Sequence, residues 1–459
     1  MLERFGPYAE SYLKKNQINP DKFHKYISNK IIKRYIEKYR LLKLKNIVKY
    51  CYKNSPFYNK LFDNKNIKPS FIKSFEDMKI IPFTDAEDIR KPKSFFCVPP
   101  TKFLKIFSST GTTGESKMIY FTENDLEKQS SSISIGLGLL FNITEKDVVR
   151  VTYDHGYGIH DWGVRFCMER ALEKVGSMSV FTGSRLSAEK ELQLINTFKV
   201  NILMGTPSYI HSLSCDMENL TDLTKLNIKK ILVGTEPLPK VLRKKVEDIW
   251  NTDVFQGYGL VEMGTSVAGE CKEKNGMHLV ETDFFLEIID KETGDVLEDG
   301  SEGEIVITSL SRDGMPLLRY RTHDLGLIMA DECPCGLPFK LIKIKGRSDN
   351  MVTIGSGDNI FPNSFDELIL SIPSVMNYQI ILERKNNKDY LRVFVESTQK
   401  TDELKKQIEK AILKISEVNN GIFDSKTIYK PDINIVKPNT IKNNSIKARR
   451  IIDNRNLYD

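Results

Sequence analysis

Between Lys30 and Tyr50 the chain reads KIIKRYIEKYRLLKLKNIVKY, placing Ile32, Ile36, Tyr39, Leu42, Ile47 and Tyr50 near helical spacing with Lys and Arg between them. Apolar residues that recur three and four positions apart predict an amphipathic helix, which the turn Ser55-Pro56-Phe57-Tyr58 ends. From about Phe103 to Leu310 short apolar runs alternate with helical stretches. VVRVTY from Val148, SMSVF from Ser177, VNILMG from Val200 and KKILVG from Lys229 read as strands. Ser187 to Phe198 carries Leu192, Ile195 and Phe198 at helical spacing. That alternation predicts an α/β sheet. After Gly346 the texture changes. Tyr378 to Leu382 and Tyr390 to Val395 read as strands around a polar turn at Asn386-Asn387-Lys388-Asp389. Asp402 to Val418 reads as one amphipathic helix with Leu404, Ile408, Ile412 and Ile415 on a face, and Thr427 to Lys437 as a further strand. The pattern thus predicts a large N-terminal α/β domain, residues 1–348, followed by a small α+β domain, residues 349–459.

Composition narrows the class without naming a chemistry. The chain has 459 residues, 40% hydrophobic and 28% charged, as a chain with a sizeable core should have. Its longest apolar candidate, Ser130 to Phe141, is half Ser and Gly and too short to span a bilayer. The opening MLERFGPYAESYLKK lacks the apolar core of a secretion signal. Seven scattered cysteines suit a reducing compartment. No membrane association is expected, and the expected location is cytoplasmic. The net charge of +7 is concentrated at the end: six Lys or Arg against Asp453 and Asp459 lie in residues 437–459. With no basic stripe interleaved with aromatics elsewhere, nucleic acid is not an expected partner; a phosphate-bearing small molecule near the tail is.

Three short segments suit such a ligand. Ser108-Ser109-Thr110-Gly111-Thr112-Thr113-Gly114 is the densest hydroxyl and glycine cluster in the chain. Glycines let backbone amides approach an anion, and hydroxyls donate to phosphate oxygens. No Gly-Lys-Ser/Thr follows, so it is not a Walker A loop. It lies between two strand-like runs, Phe103 to Phe107 and Met118 to Phe121. The next helix begins at Thr122, which Asp125 can join in a cap. Taken alone, the segment also suits a surface loop. In Phe255-Gln256-Gly257-Tyr258-Gly259-Leu260-Val261-Glu262 the Tyr258 ring suits stacking on a base, and Glu262 suits Mg²⁺; a plain strand end is the alternative. In Tyr320-Arg321-Thr322-His323-Asp324-Leu325 an aspartate at a strand end suits ribose hydroxyls, or a buried Arg–Asp pair.

These segments in this order, with Gly346-Arg347-Ser348-Asp349 and a late lysine, resemble the adenylate-forming superfamily and within it the phenylacetate–CoA ligase family. Ser55-Pro56-Phe57-Tyr58, Pro82-Phe83-Thr84, Thr206-Pro207-Ser208-Tyr209, Gly234-Thr235-Glu236-Pro237, Arg319-Tyr320-Arg321-Thr322 and Asn359-Ile360-Phe361-Pro362 support the likeness over nearly the full length. The resemblance implies that Ser109, Thr110, Gly111, Thr112, Thr113 and Gly114 hold the ATP phosphates. Gly234, Thr235 and Glu236 would border the adenine with Tyr258 and Gly259 nearby. Glu262 would bind magnesium, and Asp324, assisted by Arg347, the ribose. Asp349 would be the hinge of a mobile C-terminal domain, and Lys447 in Ser445-Ile446-Lys447-Ala448-Arg449 the catalytic lysine.

The implied chemistry explains those residue types. A carboxylate attacks the α-phosphorus of ATP, so two anions must meet, and a mobile ammonium with Mg²⁺ offsets the charge that builds up. A thiol then takes the acyl group. Two departures stand out: Gly114-Glu115-Ser116-Lys117 replaces the usual Gly-Lys-Pro, so that Lys117 would substitute, and Ile446 replaces a glycine. Tyr153 to Trp162 would form the acyl pocket. Tyr157 suits a wall, and His155 and His160 stand where relatives carry Tyr and Phe. Such a pocket favours a hydroxy- or amino-substituted aryl acid, unless the histidines face solvent. Separately, Cys271, His278, Cys333 and Cys335 offer three thiols and an imidazole, the ligand set of a structural tetrahedral Zn²⁺; free thiols are the alternative.

The expected function is therefore ATP-dependent activation of a small aromatic carboxylic acid to an acyl-adenylate and transfer to coenzyme A. One alternative is a stand-alone adenylation enzyme that loads the phosphopantetheine of an acyl carrier protein. Another is an inactive nucleotide-binding homologue. The oligomeric state is left open.

Overall fold

The computed structural model describes residues 30–109, 117–153, 163–181, 186–348, 351–355, 357–441 and 450–455. The described residues of Met1–Val180 and Phe255–Lys345 form one compact unit, and those of Phe181–Val254 and Gly346–Asp459 a second. The α/β class expected from the alternation is the one observed, with helices and strands alternating along the first half. None of the described helices is long and apolar enough to cross a membrane.

In the first unit, α1 (Lys30–Asn54) covers the predicted helix. Ser55 starts a second helix rather than simply ending the first: its Oγ accepts from the Tyr58 amide and caps α2 (Pro56–Asn64), with Pro56 at the first helical position. Strands β1 (Phe103–Ser108) and β2 (Met118–Thr122) pair antiparallel, Ser108 opposite Met118. The Ser/Thr/Gly segment begins at the end of β1, and its residues 110–114 lie outside the described residues. Thr122 then caps α3 (Glu123–Phe141) in the expected box, its hydroxyl accepting from the Asp125 amide while the Asp125 carboxylate accepts from the Thr122 amide. Strand β3 (Val148–Val151), α4 (Val164–Val175) and β4 (Met178–Val180) complete a parallel crossover.

The second unit opens with α5 (Ala188–Phe198), β5 (Ile202–Gly205), α6 (Pro207–Glu218), β6 (Lys230–Val233) and α7 (Lys240–Trp250). Strands β5 and β6 are parallel and almost wholly buried, as apolar runs of this kind are when helices cover them. Trp250, 1% exposed, donates from Nε1 to Ser214 Oγ at 2.7 Å and ties α7 to α6.

The chain returns to the first unit through β7 (Asp253–Tyr258), β8 (Ala268–Glu270), β9 (Met277–Leu279), β10 (Phe284–Ile289), β11 (Gly303–Ser309), β12 (Tyr320–Ile328) and β13 (Leu341–Arg347). Neighbours run in the order β10-β11-β12-β13-β9-β8-β7. Gly259, between β7 and β8, has no room for a side chain: a Cβ there would lie 1.5 Å from the Thr265 carbonyl oxygen.

The C-terminal part of the second unit holds β14 (Val352–Ile354), β15 (Asp358–Ile360), α8 (Pro362–Ile369), β16 (Asn377–Lys385), β17 (Lys388–Glu396), α9 (Asp402–Ile412), α10 (Ser416–Phe423), β18 (Asp432–Val436) and β19 (Ile451–Asp453). Its sheet has the order β18-β17-β16-β19. The predicted hairpin is present with a tighter turn: only Asn386 and Asn387 separate the strands, at φ 47° and 60°, a left-handed pair that asparagine tolerates. The single helix expected from Asp402 to Val418 is two. Ile415, in extended conformation, breaks it, and the break lets Leu404, Ile408, Ile412, Ile415 and Val418 all reach the core. The expected strand from Thr427 is shorter and starts at Asp432.

Leu242 of α7 shares that core. The α7 N-terminus has no capping side chain of its own; the Glu367 carboxylate accepts from the Lys240 and Val241 amides at 2.6 and 3.2 Å instead. Lys245 Nζ donates to the carbonyls of Ile372 and Val375 at 3.1 and 3.0 Å. These bonds hold residues 181–254 and the C-terminal segment in one unit.

Two glycines give opposite expectations. Gly259→Ala must displace the Thr265 backbone, so soluble yield or melting temperature should fall and acid activation be lost. Gly138→Ala fills empty space in mid-α3 and should stabilise by about 0.5–1 kcal/mol. Thermal melts of the two variants beside the parent check both.

Candidate active site

Glu262 lies in the short turn Val261–Met263 that follows β7, and is 5% exposed. A carboxylate so placed needs positive partners. Lys117, just before β2, pairs with it through Nζ. Tyr320, first in β12, donates its hydroxyl to Glu262 Oε1 at 3.0 Å and accepts from Lys117 Nζ at 3.2 Å. Burial pushes the Glu262 carboxyl up, but the Lys117 charge and these hydrogen bonds outweigh it and hold the group below the usual carboxylate range. The main chain is held as firmly. Arg312 donates from Nη1 to the Glu262 carbonyl at 2.5 Å and from Nη2 to the Tyr120 carbonyl at 3.2 Å, with its guanidinium 4.3 Å from the centre of the Phe121 ring. Burial brings the Arg312 pKa down to about 10, against the pull of Asp125 and Glu262, so it stays charged at neutral pH.

Tyr258, at the end of β7, donates its hydroxyl to Asp324 Oδ2 at 2.5 Å. The two residues expected at adenine and ribose are therefore joined. The Asp324 amide donates to Thr322 Oγ1 at 3.0 Å, and Asp324 is 6% exposed. Ser109 closes the β1–β2 hairpin, its amide donating to the Lys117 carbonyl at 3.1 Å.

Gly234, Thr235 and Glu236 belong to the second unit and follow the carboxyl end of β6, the edge at which open α/β sheets bind ligands. The Gly234 amide donates to the Gly205 carbonyl at 3.2 Å. Glu236 is fixed by the Ser208 amide and hydroxyl at 3.1 and 2.9 Å. Thr235 has φ 70°, a rare setting for a β-branched residue, and its buried Oγ1 has no hydrogen-bond partner among the described residues. Arg347 ends β13. Thr110, Gly111, Thr112, Thr113, Gly114, Glu115, His155, Tyr157, His160, Asp349, Ile446 and Lys447 lie outside the described residues.

Sequence reasoning missed Arg312 and Tyr320 as site residues. Tyr320 stood inside a segment already singled out, and its place beside Asp324 was a usable signal. Arg312 gave none, because its partners are distant along the chain. Lys117, expected at the phosphates, is the counter-ion of Glu262.

Cys271, His278, Cys333 and Cys335 converge as their spacing suggested, their ligand atoms all within 4.8 Å of one another. Cys271 and Cys333 sulfurs are 3.6 Å apart, and Cys335 Sγ is 3.2 Å from His278 Nε2. His278 Nδ1 faces the Phe339 carbonyl at 3.3 Å; a carbonyl only accepts, so the proton sits on Nδ1 and the Nε2 lone pair points into the cluster. Burial keeps the imidazole neutral and pushes the Cys335 thiol up to about 12. A bound cation would reverse that cost by taking thiolates as ligands. Donor set, convergence and histidine tautomer all fit a tetrahedral metal.

The chain is similar to known proteins over most of its length. A family model described as AMP-binding enzyme matches residues 53–311, and one described as AMP-binding enzyme C-terminal domain matches residues 357–455. The phenylacetate–coenzyme A ligase of Aromatoleum evansii is 34% identical over 426 residues, covering 91% of this chain and 94% of that protein. The one from Pseudomonas putida is 32% identical over 92% of this chain and 94% of its own length. Among solved structures, 2-hydroxyisobutyryl-CoA ligase in complex with 2-HIB-AMP superposes with a TM-score of 0.77 at 21% identity, over 91% of this chain and 89% of that one. An anthranilate CoA ligase in complex with anthranoyl-AMP gives 0.56 at 17% identity, over 75% and 65%. The chain belongs to the AMP-binding, adenylate-forming enzyme family, and within it to the phenylacetate–CoA ligases.

Proposed function

We propose that the protein is an AMP-forming carboxylate–thiol ligase that activates an aromatic carboxylic acid with ATP and passes the acyl group to coenzyme A. The observation that carries this reading is the pair of buried acids, Glu262 neutralised by Lys117 and Asp324 held by Tyr258, in a chain that aligns over 91% of its length with a phenylacetate–coenzyme A ligase. Asp324 would accept from the ribose hydroxyls beside Arg347, and Glu236, Thr235 and Gly234 would line the adenine. Ser109 and residues 110–114 would hold the phosphates, with Lys117 at the foot of the same hairpin. Glu262 is the residue that would hold magnesium, whose charge would offset the phosphate oxygens. Lys447 would bring its ammonium to both reactants when residues 349–459 close on residues 1–348 about Asp349. Lys447→Ala should then lower carboxylate-dependent ATP–pyrophosphate exchange by roughly 10²-fold or more, with nucleotide affinity little changed; exchange at the parental rate would remove Lys447 from this role.

The acid is the finer part of the proposal. His155 and His160 beside Tyr157 favour a hydroxy- or amino-substituted aryl acid. In a pyrophosphate-release panel such acids should outcompete phenylacetate, and a strong phenylacetate preference would refute the polar pocket. Offering coenzyme A and a holo carrier protein as rival thiols to the same enzyme tests the acceptor, with coenzyme A expected to be used.

The Cys271, His278, Cys333 and Cys335 cluster supports a structural zinc, which would join the turn after β8 and strand β9 to the segment before β13. Protein purified without chelator should carry about one zinc per chain, and the Cys333→Ala/Cys335→Ala protein should lose it. Zinc retained undiminished in that protein would reject the site.

A further inference from the structure

The nucleotide aspartate, Asp324, sits on an irregular stretch of β12. In the β11–β12 ladder Val306 faces Arg321 and Glu304 faces Leu325. Thr322, His323 and Asp324 therefore all stand opposite the single residue Ile305. Such a bulge turns a side chain away from its place in the ladder, and leaves backbone groups that the partner strand does not satisfy. His323 is at its centre with φ 61°, in the left-handed region.

Two side chains bond to groups of this bulge. Thr322 Oγ1 donates to the Ile305 carbonyl at 2.7 Å and accepts from the Asp324 amide. Glu304 is the other. Its side chain has no exposed surface, and its two oxygens divide the work. Oε2 accepts from Arg321 Nε and Nη2 at 3.1 and 2.5 Å. Oε1 accepts from the His323 amide at 3.2 Å and lies 3.4 Å from His323 Nδ1. The carboxylate thus bridges the residues on the near side of Asp324, in the stretch where the ladder itself is interrupted. An apolar residue in this place would fill the volume but leave the His323 amide without its acceptor and Arg321 without its carboxylate.

We infer that Glu304 is a positioning residue for nucleotide recognition: by holding the bulge at Thr322–Asp324 it aims the Asp324 carboxylate at the ribose hydroxyls, and so sets the discrimination between ribonucleotides and nucleotides lacking those hydroxyls. This rests on the ribose role of Asp324 proposed above, and the test separates the two.

The experiment measures kcat/KM for ATP and for 2′,3′-dideoxy-ATP in carboxylate-dependent pyrophosphate release, for the parent, Asp324→Ala, Glu304→Gln and Glu304→Asp. Glu304→Asp keeps the charge but withdraws the oxygens by one methylene, and it decides the matter if Glu304→Gln does not fold. The parent should prefer ATP strongly, and Asp324→Ala should bring the two substrates close together. Glu304→Gln should lower the ATP preference at least tenfold while KM for the acid stays within twofold, a split that general loosening of the fold would not produce. A Glu304 variant that keeps the parental preference while Asp324→Ala loses it overturns the inference alone. An Asp324→Ala enzyme that keeps the preference overturns the ribose role, and the inference with it.

Discussion

A carboxylate taken out of water costs several kcal/mol unless charge and hydrogen bonds replace the solvent, and the first unit is arranged around one such group. Glu262 is neutralised by Lys117 from β2, bonded by Tyr320 from β12, and held through its carbonyl by Arg312. Arg312 is itself buried and draws on Asp125. Asp125 in turn caps α3 and accepts from the amides of Asp313 and Gly314 at 2.6 and 3.1 Å. A helix cap, an arginine, a loop and the proposed metal ligand are therefore links in one chain of buried polar groups. Removing any one strands its neighbour in a low-dielectric interior.

That chain also explains what could and could not be foreseen. The strands β3 to β6 and the helix α5 follow from apolar runs and their period, because burial of a face is recorded locally. The Thr122–Asp125 cap was legible for the same reason: it spans three residues. The Glu262 partners lie 145, 50 and 58 positions away in sequence, at Lys117, Arg312 and Tyr320, and no period connects them. Glu262, Asp324 and the Cys/His set could be singled out because their segments are distinctive. Arg312 was not, because an arginine in Ser311-Arg312-Asp313 looks like any solvated turn.

The grouping of residues 181–254 with the C-terminal segment is a case of the same kind. The sequence shows that α7 has an apolar face, but not which partner buries it. Leu242 packs into the C-terminal core, and Glu367 supplies a cap that Pro239 cannot. A capping carboxylate contributes about 1 kcal/mol, a modest addition to the apolar burial of Leu242 and the two Lys245 bonds.

Positive backbone φ occurs both at ordinary turns and in the proposed site segments. Asn142, Lys199 and Asn251 have positive φ at helix ends, where the left-handed cap is an ordinary device. Away from helix ends it recurs at Thr235, Thr265, Lys274, Arg319, His323, Asn386, Asn387 and Asn439, of which only Thr235 and Thr265 are β-branched. Each such residue costs of order 1–3 kcal/mol and persists only where its surroundings over-determine it. Thr265 places the carbonyl that excludes a side chain from Gly259. His323 makes the bulge beneath Asp324. Arg319 donates to Glu287 at 3.0 Å and precedes Tyr320. Thr235 adds a buried hydroxyl without a partner, a further cost that a bound substrate can relieve. Thr235, Thr265, Arg319 and His323 thus fall in or next to segments for which a nucleotide role is proposed.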